Sequence, residues 1–172
     1  VAIIADLPGR KARLGRLVDG ALRVATGDVV RFVRDNGQVG DARAVPAPHT
    51  FFHDNLTRGE TVLLCDGVIE LSVKSVRRDE VEAEVLFGGL VGERTGLHSQ
   101  GMPLDGGPIT KEDRPLLQMA VDQGVDYIAL SWVCDDTDIL EVQEQLSELG
   151  QSIPVIAKIE RPEAFARLDG IL

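Results

Sequence analysis

A chain of 172 residues with 44% hydrophobic content can hold one ordinary domain, or a small domain with part of a larger one, and still build an apolar core. Its formal charge of -10 and pI near 4.7, with acidic residues spread rather than blocked, argue against non-specific binding to nucleic acid or an anionic membrane. A phosphate-bearing ligand would have to meet a local basic site.

The first predicted element is "VAIIAD" (1–6), a continuous Val/Ile/Ala run ending in a carboxylate, the pattern of a parallel strand buried on both faces. From about residue 14 to 106 the text changes. It becomes Gly-punctuated and Val-rich, with alternating runs "GDVVRFV", "ETVLLC", "VIELSVKSV" and "EVEAEVLF", and turn signals every eight to twelve residues. That pattern predicts a small antiparallel sandwich or barrel inserted after the first parallel strand. Within it, Asn36-Gly37 reads as a hairpin turn, "DARAVPAPHTFFHDN" as a loop, and "FGGLVG" as a turn, because it lacks the helix and Lys-Ser/Thr of a phosphate loop. His49 and His53 stand four apart but beside prolines, so loop histidines outweigh a helical metal pair.

The chain then alternates helix and strand. "TKEDRPLLQMAVDQG" opens with a capping-box pair, Thr110 and Asp113, carries apolar Leu116, Leu117, Ala120 and Val121, and stops at Gly124. "VDYIALSW" (125–132) is a second buried strand. "DDTDILEVQEQLSELG" begins with capping acids, places Ile139, Val142, Leu146 and Leu149 on one stripe, and ends at Gly150. "IPVIAKIE" (153–160) is a third strand, followed by the start of a helix. The domain reading is therefore 1–13 with 107–172 as an α/β part, and 14–106 as an inserted all-β part. Three parallel strands are fewer than the eight of a complete (β/α) barrel, so the α/β part reads as a partial TIM-type barrel. Cys65 and Cys134 have no metal-ligand spacing, and neither a signal peptide nor a long apolar span is visible; the expected location is a reducing cytoplasm. The missing initiator Met and the ending "LDGIL" lead us to expect an excised piece of a longer protein.

In barrels of this type the chemistry gathers at the C-terminal strand ends, which here carry Asp6, Ser131 with Trp132, and Lys158 with Glu160. Residues two apart on a strand share a face, so Lys158 and Glu160 project together. An ammonium beside a carboxylate suits phosphoryl transfer: the cation offsets charge on the moving group and the carboxylate holds a hard divalent metal. A mutual ion pair at a strand end explains the spacing as well, and the position at the strand exit favours function. The Ser131 hydroxyl could equally be satisfied by nearby backbone, and Trp132 reads as packing.

Taken together, "IADLPGRKARLG", "VLLCDGVIELSV", "GGLVGERTGLHSQG", "ITKEDRPLLQMAVDQGVDYIALSWV" and "IPVIAKIERPEAF" resemble the pyruvate kinase family, in the family's order and over nearly the whole chain. The resemblance implies a TIM barrel with a β-barrel lid inserted after its third strand, this chain running from barrel strand three to just past strand five. It implies transfer of a phosphoryl group from phosphoenolpyruvate to ADP, giving pyruvate and ATP in glycolysis, with Mg²⁺ or Mn²⁺. Residue by residue, it makes Lys158 the lysine that stabilises the transferring phosphoryl group and Glu160 a ligand of the divalent metal. Arg13 becomes the phosphate-contacting arginine, Asp6 an acid of the monovalent-cation site, and Ser131 the serine of an Ala-Ser-Phe strand end. A homo-oligomer is expected, with no nucleic-acid or membrane partner.

Departures carry information too. "LPGR" puts Leu7, Pro8 and Arg10 where the family has threonine, lysine and proline. Lys11 stands where many members have glutamate, and its ammonium can take the place of potassium, so K⁺ is expected to be dispensable. "GERTG" puts Thr95, with Arg94 beside it, where a nucleotide-contacting lysine is expected, and His98 stands at an asparagine. The family's second acidic metal ligand falls outside these 172 residues, so this chain alone is expected to be inactive. An alternative follows from the same departures: a catalytically impaired relative serving as a binding or regulatory module.

Overall fold

The computed structural model describes residues 1–172 and divides them into two units, Val1–Lys11 with Asp105–Leu172, and Ala12–Leu104. The first unit opens with strand β1 (Ile4–Leu7). The second is all β: β2 (Ala21–Val24), β3 (Val29–Arg34), β4 (Val45–Ala47), β5 (Thr61–Leu64), β6 (Ile69–Arg77), β7 (Glu80–Phe87), β8 (Gly89–Gly92) and β9 (Leu97–Ser99). Six of these form one sheet in the order β4-β3-β7-β6-β5-β9, and β2 pairs with β8 as a ribbon. Period-two alternation turns Val30 and Phe32, Ile69, Leu71 and Val73, and Val81, Ala83 and Val85 inward, where Val24 and Val91 of the ribbon join the same core. Phe32 meets Phe51 edge to face with centroids 5.1 Å apart. The alternate residues form a solvated charge ladder, with Lys74–Glu84 at 2.5 Å and Arg31–Glu80 at 3.0 Å.

Three details of this unit differ from the sequence reading. Gly37 takes a positive φ of 86°, but Asn36-Gly37 does not close a hairpin, because β3 next pairs with β4 in parallel. Asp35 and Asn36 instead accept the amides of Gly37 and Gln38, satisfying the backbone locally and letting the chain loop back. The segment read as a loop contributes β4 and a single 3-10 turn, His49–Phe51, since Val45, Pro46 and Ala47 are all buried. "FGGLVG" is not a turn either: Gly89–Gly92 is β8. A Cβ on Gly88 would lie 2.5 Å from the Val24 carbonyl, so glycine there permits a close backbone approach rather than a bend.

The first unit resumes with α1 (Asp113–Asp122), β10 (Tyr127–Leu130), α2 (Asp136–Glu148), β11 (Val155–Ala157), α3 (Pro162–Phe165) and α4 (Leu168–Ile171). Its strands are all parallel, in the order β1-β10-β11. The capping box forms: Thr110 Oγ1 accepts the Asp113 amide at 3.1 Å, while Asp113 accepts the Thr110 amide at 3.0 Å. Asp135 caps α2 by accepting the Thr137 amide at 3.1 Å, and Gly124 and Gly150 end the helices with φ of 64° and 73°. Leu117 and Ala120 of α1 and Val142 and Leu146 of α2 cover Leu7, Ile128 and Leu130 on one face of the sheet, whereas Leu116 and Leu149 stay partly exposed. On the opposite face the expectation of burial is met only on the central strand, where Ala129 and Ser131 are buried. Ile4 and Ile156, on the opposite face, remain 53% and 38% exposed.

Candidate active site

That opposite face carries the polar strand ends. Alternation along β1, β10 and β11 places Asp6, Ser131, Lys158 and Glu160 on it, opposite the helix-packed residues Leu7, Leu130 and Ala157. The Lys158 Nζ donates to both oxygens of Asp6, at 3.0 and 3.1 Å, and to Ser131 Oγ at 2.9 Å. Ser131 in turn donates to the Leu7 carbonyl at 2.7 Å, so its hydroxyl is satisfied by nearby backbone while also accepting from the lysine. Glu160 Oε1 lies 3.7 Å from Lys158 Nζ, and Glu160 Oε2 accepts the Trp132 amide at 2.9 Å. With Lys158, Glu160 and Asp6 side chains 32%, 35% and 60% exposed, the cluster is open to a ligand.

A second group backs this one. Trp132 follows β10 in the left-handed region, φ 61°, and its amide donates to Glu160. The Arg10 Nη2 donates to the Trp132 carbonyl at 3.1 Å and to Asp138 Oδ2 at 2.5 Å. Asp138 Oδ2 also accepts the Cys134 amide at 2.7 Å. Burial pushes the Cys134 thiol above its ordinary range, with Asp138 adding to the rise and Arg10 opposing it.

The remaining sequence candidates lie in the β unit. Arg13 donates to the Arg94 carbonyl at 3.1 Å, and Arg94 itself adopts φ 55° in the turn that follows β8. Thr95 Oγ1 sits 3.7 Å from Cys65 Sγ. His53 Nε2 lies 3.3 Å from Ser99 Oγ, and no group of three or more His, Cys, Asp or Glu side chains is gathered around a metal position. For a hard cation, the strand-end cluster offers the carboxylates of Glu160 and of Asp6, which also accepts from Lys158 and stays 60% exposed. This donor set fits Mg²⁺ or Mn²⁺ as commonly held, by one or two carboxylates with substrate and water supplying the rest.

Comparison with known proteins decides the lineage. The family model described as "Pyruvate kinase, barrel domain" matches residues 1–172. The chain belongs to the pyruvate kinase family. It is 37% identical over 173 residues to a pyruvate kinase of Thermococcus litoralis and 35% identical over 172 residues to one of Mycobacterium tuberculosis. Each alignment covers 100% of this chain and 36% of the relative, so the chain spans about a third of the length of the curated relatives it matches. The crystal structure of Cryptosporidium parvum pyruvate kinase superposes with a TM-score of 0.80 at 26% identity, covering 99% of this chain and 37% of that one. Pyruvate kinase kinship thus supports the partial TIM-type barrel with its β-barrel insertion. Sequence reasoning put Lys158 and Glu160 on one face, where the structure has them 3.7 Å apart, and did not anticipate the Trp132 amide or the Arg10–Asp138 pair. The signal for the pair was available: Arg10 is a charge inside "LPGR", where pyruvate kinases carry proline.

Proposed function

We propose that this chain supplies part of the phosphoryl-transfer site of a pyruvate kinase-type enzyme that passes a phosphoryl group from phosphoenolpyruvate to ADP, giving pyruvate and ATP. The observation that carries the reading is the convergence of Lys158, Asp6, Ser131 and Glu160 at the C-terminal ends of three parallel strands. Lys158, held by Asp6 and Ser131, sets an ammonium against the charge that develops on the transferring group. Glu160 is the carboxylate for Mg²⁺ or Mn²⁺, and the bound cation would neutralise phosphate charge. Arg13 contacts phosphate, while Arg94 and Thr95 meet the nucleotide in the family's lysine position. The β unit serves as a lid that excludes water. Lys11 makes K⁺ dispensable. Asp6 is an acid of the monovalent-cation site and also holds Lys158. The intact protein works in the cytoplasm as a homo-oligomer, in glycolysis.

The test is pyruvate formation by the intact protein from phosphoenolpyruvate, ADP and Mg²⁺, with and without K⁺, beside Lys158→Met. Potassium-independent turnover that the substitution lowers by about 10²-fold or more supports the reading. Turnover unchanged in Lys158→Met overturns it, and no turnover under any condition favours a binding module that has lost its nucleotide contacts.

A further inference from the structure

The Arg10 and Asp138 side chains are 10% and 8% exposed, and their ion pair grips the chain on both sides of one turn. Arg10 holds the Trp132 carbonyl, and Asp138 holds the Cys134 amide. Val133 lies between these two anchors, and Trp132, whose own carbonyl is the first of them, enters the turn at φ 61°, a conformation that a non-glycine residue keeps only where its surroundings impose it. A nearly buried ion pair gains little stability over apolar residues of the same size, so its value here lies in the geometry it imposes. That geometry reaches the strand-end cluster through the Trp132 amide, 2.9 Å from Glu160 Oε2. Without that bond, Glu160 would be left to the 3.7 Å approach of Lys158.

We infer that the Arg10–Asp138 pair is a positioning device that holds the Trp132 turn, and through the Trp132 amide sets the Glu160 carboxylate to receive a divalent cation. The inference rests on the role proposed above for Glu160. Arg10 touches neither cation nor substrate; it acts through the backbone of Trp132 and the carboxylate of Asp138. This explains why an arginine can stand in "LPGR": its buried partner is present in the first turn of α2.

The experiment uses the full-length protein labelled with 5-fluorotryptophan, the Trp132 resonance being assigned by its loss in Trp132→Phe. Mn²⁺ binding is followed by electron paramagnetic resonance without substrates. Arg10→Met is expected to move the Trp132 resonance and to weaken Mn²⁺ binding about ten-fold, the scale on which the groups behind a metal ligand act. Because Arg10 works through Glu160, Arg10→Met combined with Glu160→Gln should bind no more weakly than Glu160→Gln alone. A folded Arg10→Met protein with wild-type Mn²⁺ affinity and an unmoved resonance overturns the inference, as do losses that add. If Arg10→Met does not fold, Asp138→Asn, which keeps the side-chain volume, decides on the same readings. A protein that shows these Mn²⁺ effects but makes no pyruvate overturns the activity and keeps the positioning role. One that makes pyruvate with Mn²⁺ binding indifferent to Arg10 does the reverse.

Discussion

The two units put similar residue types to different uses. In the β unit, alternation along β3, β6 and β7 turns every second side chain, an apolar one, into one core and leaves charged residues between them paired in solvent, so most of the pattern is accounted for by folding. In the α/β unit the same period of two sorts side chains differently. One sheet face packs under α1 and α2, and the other holds exposed Ile4 and Ile156 together with Asp6, Lys158 and Glu160. A buried serine there bonds a lysine instead of being replaced by an apolar residue. The contrast teaches where to look for chemistry: on the face whose residues the core does not explain.

The comparison can be broken from either side. Phe32→Ala removes a fully buried ring that packs on Phe51, and should cost about 3–5 kcal/mol in denaturant unfolding while leaving the fluorine resonance of Trp132 in place. A moved resonance would mean that the two units do not divide their labour in this way. Lys158→Met should do the opposite. With the side chain 32% exposed, its loss should change the melting temperature little, yet lower kcat by about 10²–10³-fold, the scale of losing one preorganised charge partner.

Smaller changes sharpen the picture. Asp135→Ala deletes the α2 cap and should cost about 1 kcal/mol at neutral pH, read by thermal melting. The Thr137 hydroxyl, chiefly, and then backbone amides and Arg167 hold the Asp135 carboxyl below its usual pKa. The cap's contribution is therefore present above the unfolded pKa near 3.8 and lost as pH falls through the lower folded value, so the penalty should shrink in acid. In the β unit, burial lowers the His53 pKa against the opposing pull of Glu60 and Asp54. The unfolded chain then binds the proton more readily, and this contribution to stability falls as pH drops below about 6.5 toward the folded value. His53→Gln should flatten that part of the stability profile, and an unchanged slope would assign the acid sensitivity to other groups.

Much of this was legible in the primary structure because it depends on local periods. The three parallel strands, both long helices with their caps, and the alternating runs of the β unit follow from spacings of 2.0 and 3.6 residues and from capping chemistry that acts within four positions. The shared face of Lys158 and Glu160 follows from the same period of two. What sequence could not supply were partners distant along the chain. The parallel pairing of β3 with β4, the strand made from "GGLVG" and the uneven cover of the parallel sheet's two faces depend on which backbones meet, not on propensity. The Arg10–Asp138 pair joins residues 128 positions apart, and the Trp132 amide reaches Glu160 across 28. Residue types and their periods determined the elements and nominated the strand-end charges; only the tertiary structure decided which charges meet, because ion pairs and hydrogen bonds depend on distance through space.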